Sequence, residues 1–317
     1  MAMMPIMAAY VDPRFRPTLW PGTPVPTPEL TPLVGARVEG EWIVWDPQDP
    51  VRPASGPLPD DFYLRELMDL DAEDMETVAS WMRTWGHFGA GFFEAGSWDE
   101  EDMLLLREVL AIEHPERDGG TVHRDVVRLH IRQAQKAIRT WLACRRRDGL
   151  DELVADQSTG THLAAVRAEN PHLGGDWPRD RTRLRDVLIS QRLRHLEGTL
   201  NTALGVFSVG IGTLSERHPS IYSAAFLQLY NHLAEDATIR TCSNETCGRS
   251  FVRQRGRAEY GQHRTSGIKY CTRECARAQA QRAHRRRKRN TTTAQPVDSS
   301  HPQDRDTSHG PAKEQTP

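Results

Sequence analysis

Lysine is almost missing from this chain of 317 residues: Lys136, Lys269, Lys288 and Lys313 are the only four among 41 basic residues. The bias runs from end to end, so the choice of arginine is compositional, and the information lies in where positive charge is dense. Long apolar runs are missing too, since none approaches the roughly 18 residues that span a bilayer. The opening Met1-Ala2-Met3-Met4-Pro5-Ile6-Met7 is too short and too uncharged for a secretory leader. A cytoplasmic, reducing setting without membrane contact is therefore expected. Nucleotide and hydrolase signatures are absent: there is no G-x-x-x-x-G-K-S/T, no G-x-G-x-x-G after a strand, no G-x-S-x-G and no H-E-x-x-H. The glycines between Gly205 and Gly212 lack the lysine of a phosphate loop. No nucleophile, acid and base fall into a recognisable pattern, so the chain reads as a binding protein rather than an enzyme.

Cysteine is scarce, but its placement is informative. Four of the five fall at Cys242, Cys247, Cys271 and Cys275, spaced C-x4-C-x23-C-x3-C. Two close pairs separated by a loop let four thiolates converge tetrahedrally on one Zn²⁺ at about 2.3 Å each. Four sulfurs close the shell and leave no position for water, so the zinc is expected to be structural rather than catalytic. The fifth, Cys144, reads as a buried thiol, although Arg145, Arg146 and Arg147 beside it would favour a thiolate.

The overall net charge of −2 hides a division. Residues 1–240 carry net −11, residues 241–290 net +11, and residues 291–317 net −2. An acidic body is joined to a basic C-terminal segment, which predicts a polyanionic partner for the basic end. It also allows an intramolecular contact in which the acidic body competes for that end.

The fold expected is mainly α. Residues 1–33 form a proline-rich arm, 34–236 a helical body, 237–290 a four-cysteine zinc module with a basic helix, and 291–317 a disordered tail. Residues 36–45 alternate around Gly40 as one short β-hairpin, the only strand pair expected outside the module. Helices are expected over 60–70, then after a cap at Asp71 and up to a stop at Gly86, then over 98–112, 122–147, 182–204 and 219–235, with 156–180 as loop. Trp81, Trp85 and Trp141 fall at helical spacing and read as core.

Within the module, Ile239-Arg240-Thr241-Cys242 predicts a strand, Ser243 to Thr246 a knuckle, and Phe251-Val252 a return strand over the metal. Glu274 to Arg289 then predicts a helix with Cys275 in its first turn, the treble-clef arrangement. Alanines at 276, 278, 280 and 283 supply helix propensity without a large apolar face. Cations surround that helix, and such self-repelling charge needs an anion. The candidate nucleic-acid contacts are Arg253, Arg255, Arg257 and Arg264 from the loop and Arg273, Arg277, Arg282, Arg285, Arg286, Arg287, Lys288 and Arg289 from the helix. Gln254, Tyr260, Gln262 and His263 are further candidates for groove contacts.

Cys242, Cys247-Gly248-Arg249, Phe251-Val252, Cys271, Cys275 and the trailing Arg/Ala helix resemble the CGNR-type zinc-finger family, bacterial proteins in which a C-terminal four-cysteine finger follows a largely helical domain. The resemblance covers residues 241–289. This chain has Ala276-Arg277-Ala278 where the family has its Gly-Asn-Arg signature. What the resemblance implies is transcription regulation through double-stranded DNA. From the residues alone, RNA binding, a zinc-stabilised adaptor for an acidic protein surface, and a treble-clef nuclease using His263 stay open. The nuclease is the weakest, because Glu245, Glu259 and Glu274 are few and poorly placed to hold a catalytic metal.

Overall fold

A computed structural model describes residues 10–16, 27–28, 30–46, 58–59, 61–89, 100–112, 116–117, 120–169, 180–207, 220–253 and 269–293. The chain is mostly helical. Strands β1 (Arg37–Glu39) and β2 (Trp42–Val44) form the expected hairpin, paired Arg37 to Val44 and Glu39 to Trp42. That hairpin is half of a larger sheet. Strands β3 (Glu116–Arg117) and β4 (Thr121–His123) extend it in the order β1-β2-β4-β3, with Ile43 opposite Val122. Residues 122–123, expected to begin a helix, are therefore strand. Val122 is β-branched and fully buried against Ile43, which outweighs the helical pattern that follows.

Helix α1 (Met75–Trp85) is capped by Asp74, whose carboxylate accepts from Thr77 N, rather than by Asp71. Asp71 instead closes the preceding turn onto Glu73 N at 2.9 Å. Gly86 ends α1 as expected, with φ +108°. Helix α2 (Glu100–Leu110) follows, then α3 (Arg124–Cys144), α4 (Gly149–Leu153), α5 (Gly160–Glu169), α6 (Arg181–Gly205) and α7 (Ile221–Ala234). Helix α5 lies where a loop was expected. Thr159 Oγ1 accepts from His162 N at 3.1 Å, and this polar cap starts a helix that Gly160 alone argued against. Only Leu163 of α5 is buried, so its apolar signal in the sequence is slight.

The core is centred on α3, which packs against α6, α2 and the sheet, while α6 packs against α7. Trp141 is buried, and Trp81 and Trp85 pack around Phe62, so all three tryptophans serve the core. Burial of each such side chain is worth roughly 1.5–3 kcal/mol. Ahead of α1, Tyr63–Leu67 makes a π-helical turn closed by Met68 N donating to Tyr63 O at 3.2 Å. The turn is held from both sides. Tyr63 Oη meets His232 Nδ1 of α7 at 2.8 Å, and Gln135 Nε2 of α3 donates to Leu67 O at 3.0 Å and Leu70 O at 2.7 Å. Parts of the N-terminal arm are pinned rather than loose: Asp12 N donates to Cys144 O at 2.8 Å, and Leu30 and Leu33 are core residues. Cys144 is buried, and burial pushes its thiol up to about 12, so the adjacent arginines do not create a thiolate.

Strands β5 (Thr238–Thr241) and β6 (Ser250–Arg253) pair antiparallel, and α8 (Arg273–Thr293) follows. Ile239 and Val252, opposite each other in the ladder, pack on the core of the body. Val252 thus faces the body instead of covering the cysteines. The helix runs three residues into the segment expected to be tail; residues 294–317 lie outside the described residues.

Candidate metal centre

The four cysteines converge. Cys242 leaves the end of β5, Cys247 closes the turn before β6, Cys271 precedes α8 and Cys275 sits in its first turn. Their sulfurs all lie within 4.8 Å of one another. Cys247 Sγ is 3.6 Å from Cys271 Sγ, which is 3.5 Å from Cys275 Sγ. A disulfide would need about 2.05 Å, whereas sulfurs at the corners of a tetrahedron of radius about 2.3 Å stand about 3.8 Å apart. The cluster can hold a metal ion.

Local hydrogen bonds explain why these residues fold into that shape. Cys247 N donates to Asn244 O at 2.9 Å, and Gly248, at φ +60°, turns the chain back so that Cys242 N reaches Arg249 O at 2.8 Å. Ser243 N donates to Lys269 O at 2.8 Å, tying the first knuckle to the segment that brings Cys271. Thr272 Oγ1 accepts from Cys275 N at 3.2 Å and caps α8. Burial raises the Cys247 and Cys271 thiols above their ordinary range, and the neighbouring thiols add to the rise at Cys271. Cys275 goes the other way, to about 7, chiefly through the Asn244 side chain. Four crowded sulfurs resist joint deprotonation, and a cation among them reverses that balance.

Asn244 and Glu245 are organising residues that the sequence pattern did not single out. Asn244 is buried, and its Oδ1 accepts from Thr246 N at 3.3 Å and from Arg282 Nη2. Glu245 takes Gln279 Nε2 at 3.0 Å and Arg286 Nη1 at 2.9 Å. The only hint in the sequence was a short amide in a turn, which suits Asx geometry. Gln279, Arg282 and Arg286 therefore form the inner face of α8, clamped to the knuckle. On the opposite face Arg273, Arg277, His284 and Lys288 lie within one narrow stripe and are exposed, with exposed Arg287 beside them; Arg285 and Arg289, also exposed, lie round the helix toward Arg282. Of the loop candidates, Arg253 ends β6 opposite Thr238. Arg255, Arg257 and Arg264, with Gln254, Tyr260, Gln262 and His263, lie outside the described residues.

The cluster is also joined to the body. Arg65, in the π-helical turn, ion-pairs with buried Asp61 and donates from Nη2 to Cys271 O at 3.2 Å. Burial pushes the Asp61 carboxyl up against the pull of Arg65. Arg249 Nε meets Asp69 Oδ2 at 2.9 Å, and Arg145 bridges Asp236 at 2.9 Å. No helix among the described residues is long and apolar enough to cross a membrane. No family model, curated protein or solved structure matches the chain.

Proposed function

We propose that the four cysteines hold one structural Zn²⁺ in a treble-clef-like module, and that the outer face of α8 binds the phosphate backbone of nucleic acid, double-stranded DNA in the first instance. The carrying observation is the division of α8 into a clamped inner face and an exposed cationic stripe at Arg273, Arg277 and Lys288. An ordered helix that keeps this charge in water on one face is suited to a polyanion. Together with the resemblance of residues 241–289 to CGNR-type fingers, this favours a transcription regulator, with sequence-reading contacts supplied by the 253–264 loop.

The zinc supplies folding energy and no chemistry. Around it, the chain's own groups do the work. Asn244 and Thr272 fix the ligand-bearing turns, Glu245 anchors Arg286, and Arg65 orients the Cys271 peptide. A second reading, an adaptor for an acidic protein surface, is favoured by Arg249, which already pairs with a carboxylate of the body.

Mobility shifts in rising salt, with and without chelator, decide between them. Replacing Arg285, Arg287, Lys288 and Arg289 with alanine spares the clamp at Arg282 and Arg286. It should weaken binding to all sequences and make the logarithmic salt slope shallower by up to about four units. A zinc-loaded protein that binds neither DNA nor RNA at low salt leaves the adaptor.

A further inference from the structure

A cleft of about 480 Å³ opens between the 68–73 segment and helices α3 and α6. That volume lies within the range of small-molecule sites, about 300–1,000 Å³. Arg132, Lys136 and Arg139 follow one another at i, i+4 and i+7 on a single face of α3, and Arg192 joins them from α6. Three carboxylates, Asp69, Asp71 and Glu73, stand on the facing rim. Two of these reach arginines that are not part of the cleft: Asp69 pairs with Arg249 and Glu73 with Arg128, each at 2.9 Å. The described lining thus sets four cations on the helices against three carboxylates on the facing segment, inside an otherwise acidic body.

Lysine usage points the same way. Lys136 is the only lysine before Lys269 in a chain that otherwise uses arginine, and it is buried at the cleft wall with 7 % of its surface exposed. Gln135 stiffens the same wall by bonding the Leu67 and Leu70 carbonyls of the facing segment. Among the described residues no aromatic side chain lines the cleft, and the apolar ones are Met68, Leu70 and Ala72. Among those residues a nucleobase finds nothing to stack on.

We infer that this cleft is a binding site for a small, highly polar phosphate monoester of sugar-phosphate size. Arg132 and Arg139 supply guanidinium forks matched to phosphate oxygens, Lys136 a point charge at the wall, and Arg192 the far side. The inference is independent of nucleic-acid binding by α8, because it uses none of that helix's residues. Asp69 nevertheless belongs both to the cleft rim and to the Arg249 pair beside the cysteines, so an anion in the cleft acts on the contact between body and knuckle.

The test is calorimetric titration of the full-length, zinc-loaded protein at fixed ionic strength with inorganic phosphate, glycerol 3-phosphate and glucose 6-phosphate, with glucose and glucuronate as controls. At least one of the three phosphates should saturate one site per chain, and glucose should not bind. Arg139→Gln, an exposed change that leaves the core intact, should weaken that phosphate about tenfold, the loss of one charge-assisted hydrogen bond. Arg192→Gln should act in the same direction, while Arg285→Gln on α8 should leave affinity unchanged. Absence of saturable binding by all three phosphates overturns the site. So does unchanged affinity in both cleft variants, or an equal loss in Arg285→Gln, which would place the anion on α8. Glucuronate binding as tightly as glucose 6-phosphate overturns the assignment to phosphate.

Discussion

Helices α7 and α8 flank the β5–β6 hairpin and are built on opposite principles. From Ile221 to Leu233 nearly every residue of α7 is buried, including Phe226, Leu229 and His232; on α8 no residue with a described side chain is buried, and its inner face is polar. The body is held by exclusion of water from apolar surface. The C-terminal segment has Phe251 and the packed pair Ile239 and Val252, and otherwise depends on sulfur convergence and a polar clamp. Two neighbouring parts of one chain thus answer to different variables: temperature and core volume for one, thiol state and, on the proposed function, metal for the other.

The strongest way to break that contrast is to remove a thiolate. If the proposed zinc is bound, elemental analysis should find one per chain in the wild type and none in Cys247→Ser or Cys271→Ser, and residues 238–293 should unfold in either variant, since affinity on the order of 10 kcal/mol for a structural zinc is folding energy. Helical circular dichroism from the body should persist. Stoichiometric zinc in both variants would falsify the site.

A core substitution probes the other half. Trp141→Ala should cost about 3–5 kcal/mol in denaturant unfolding of the body, a cavity effect that zinc cannot offset. Zinc content of the folded protein should stay at one per chain.

Acid should also separate the regions. Burial, with a smaller contribution from the charge of His87, lowers His130 from its ordinary 6.5 to about 3. Between those values the unfolded chain binds a proton that the folded one refuses, so body stability is complete above pH 6.5 and declines as pH falls. The decline reaches at most about 1.4 kcal/mol per pH unit. In His130→Asn the thermal midpoint should fall less steeply between pH 6.5 and 4, whatever its value at neutral pH.

The smallest effect concerns the junction. Asp69→Asn removes an ion pair whose side chains are about half exposed, worth about 0.2–1 kcal/mol. It should shift the chelator concentration needed to unfold the C-terminal segment slightly downward and leave the body transition in place.

What the sequence made legible follows the same division. The cysteine spacing alone located the cluster, because two close pairs at those separations match the ligand spacing of a metal site. Helices with long apolar stripes, α3 and α6, were visible to within a few residues. Two short elements escaped because they depend on partners far along the chain. Strand β4 exists through Ile43, and the π-helical turn needs Gln135 and His232, more than 60 positions away, to satisfy it. Arg282 and Arg286 were indistinguishable from their neighbours until Asn244 and Glu245 came to face them. In a run of like charges, only tertiary contact tells which members hold the fold.

Between Cys247 and Cys271 lie 23 residues whose two ends are drawn together, with sulfurs 3.6 Å apart and Lys269 O bonded to Ser243 N. The chain here is closed into a ring at the cluster. The entropy of closing such a ring grows only logarithmically, about 0.6 kcal/mol for each doubling of length. Strand β6 and the residues beside each fastening are held by the contacts described above, but chain length added between Arg253 and Lys269 costs the cluster little. A lineage of such proteins could change what this segment touches while keeping the same four sulfurs, so diversity of target and constancy of scaffold need not compete.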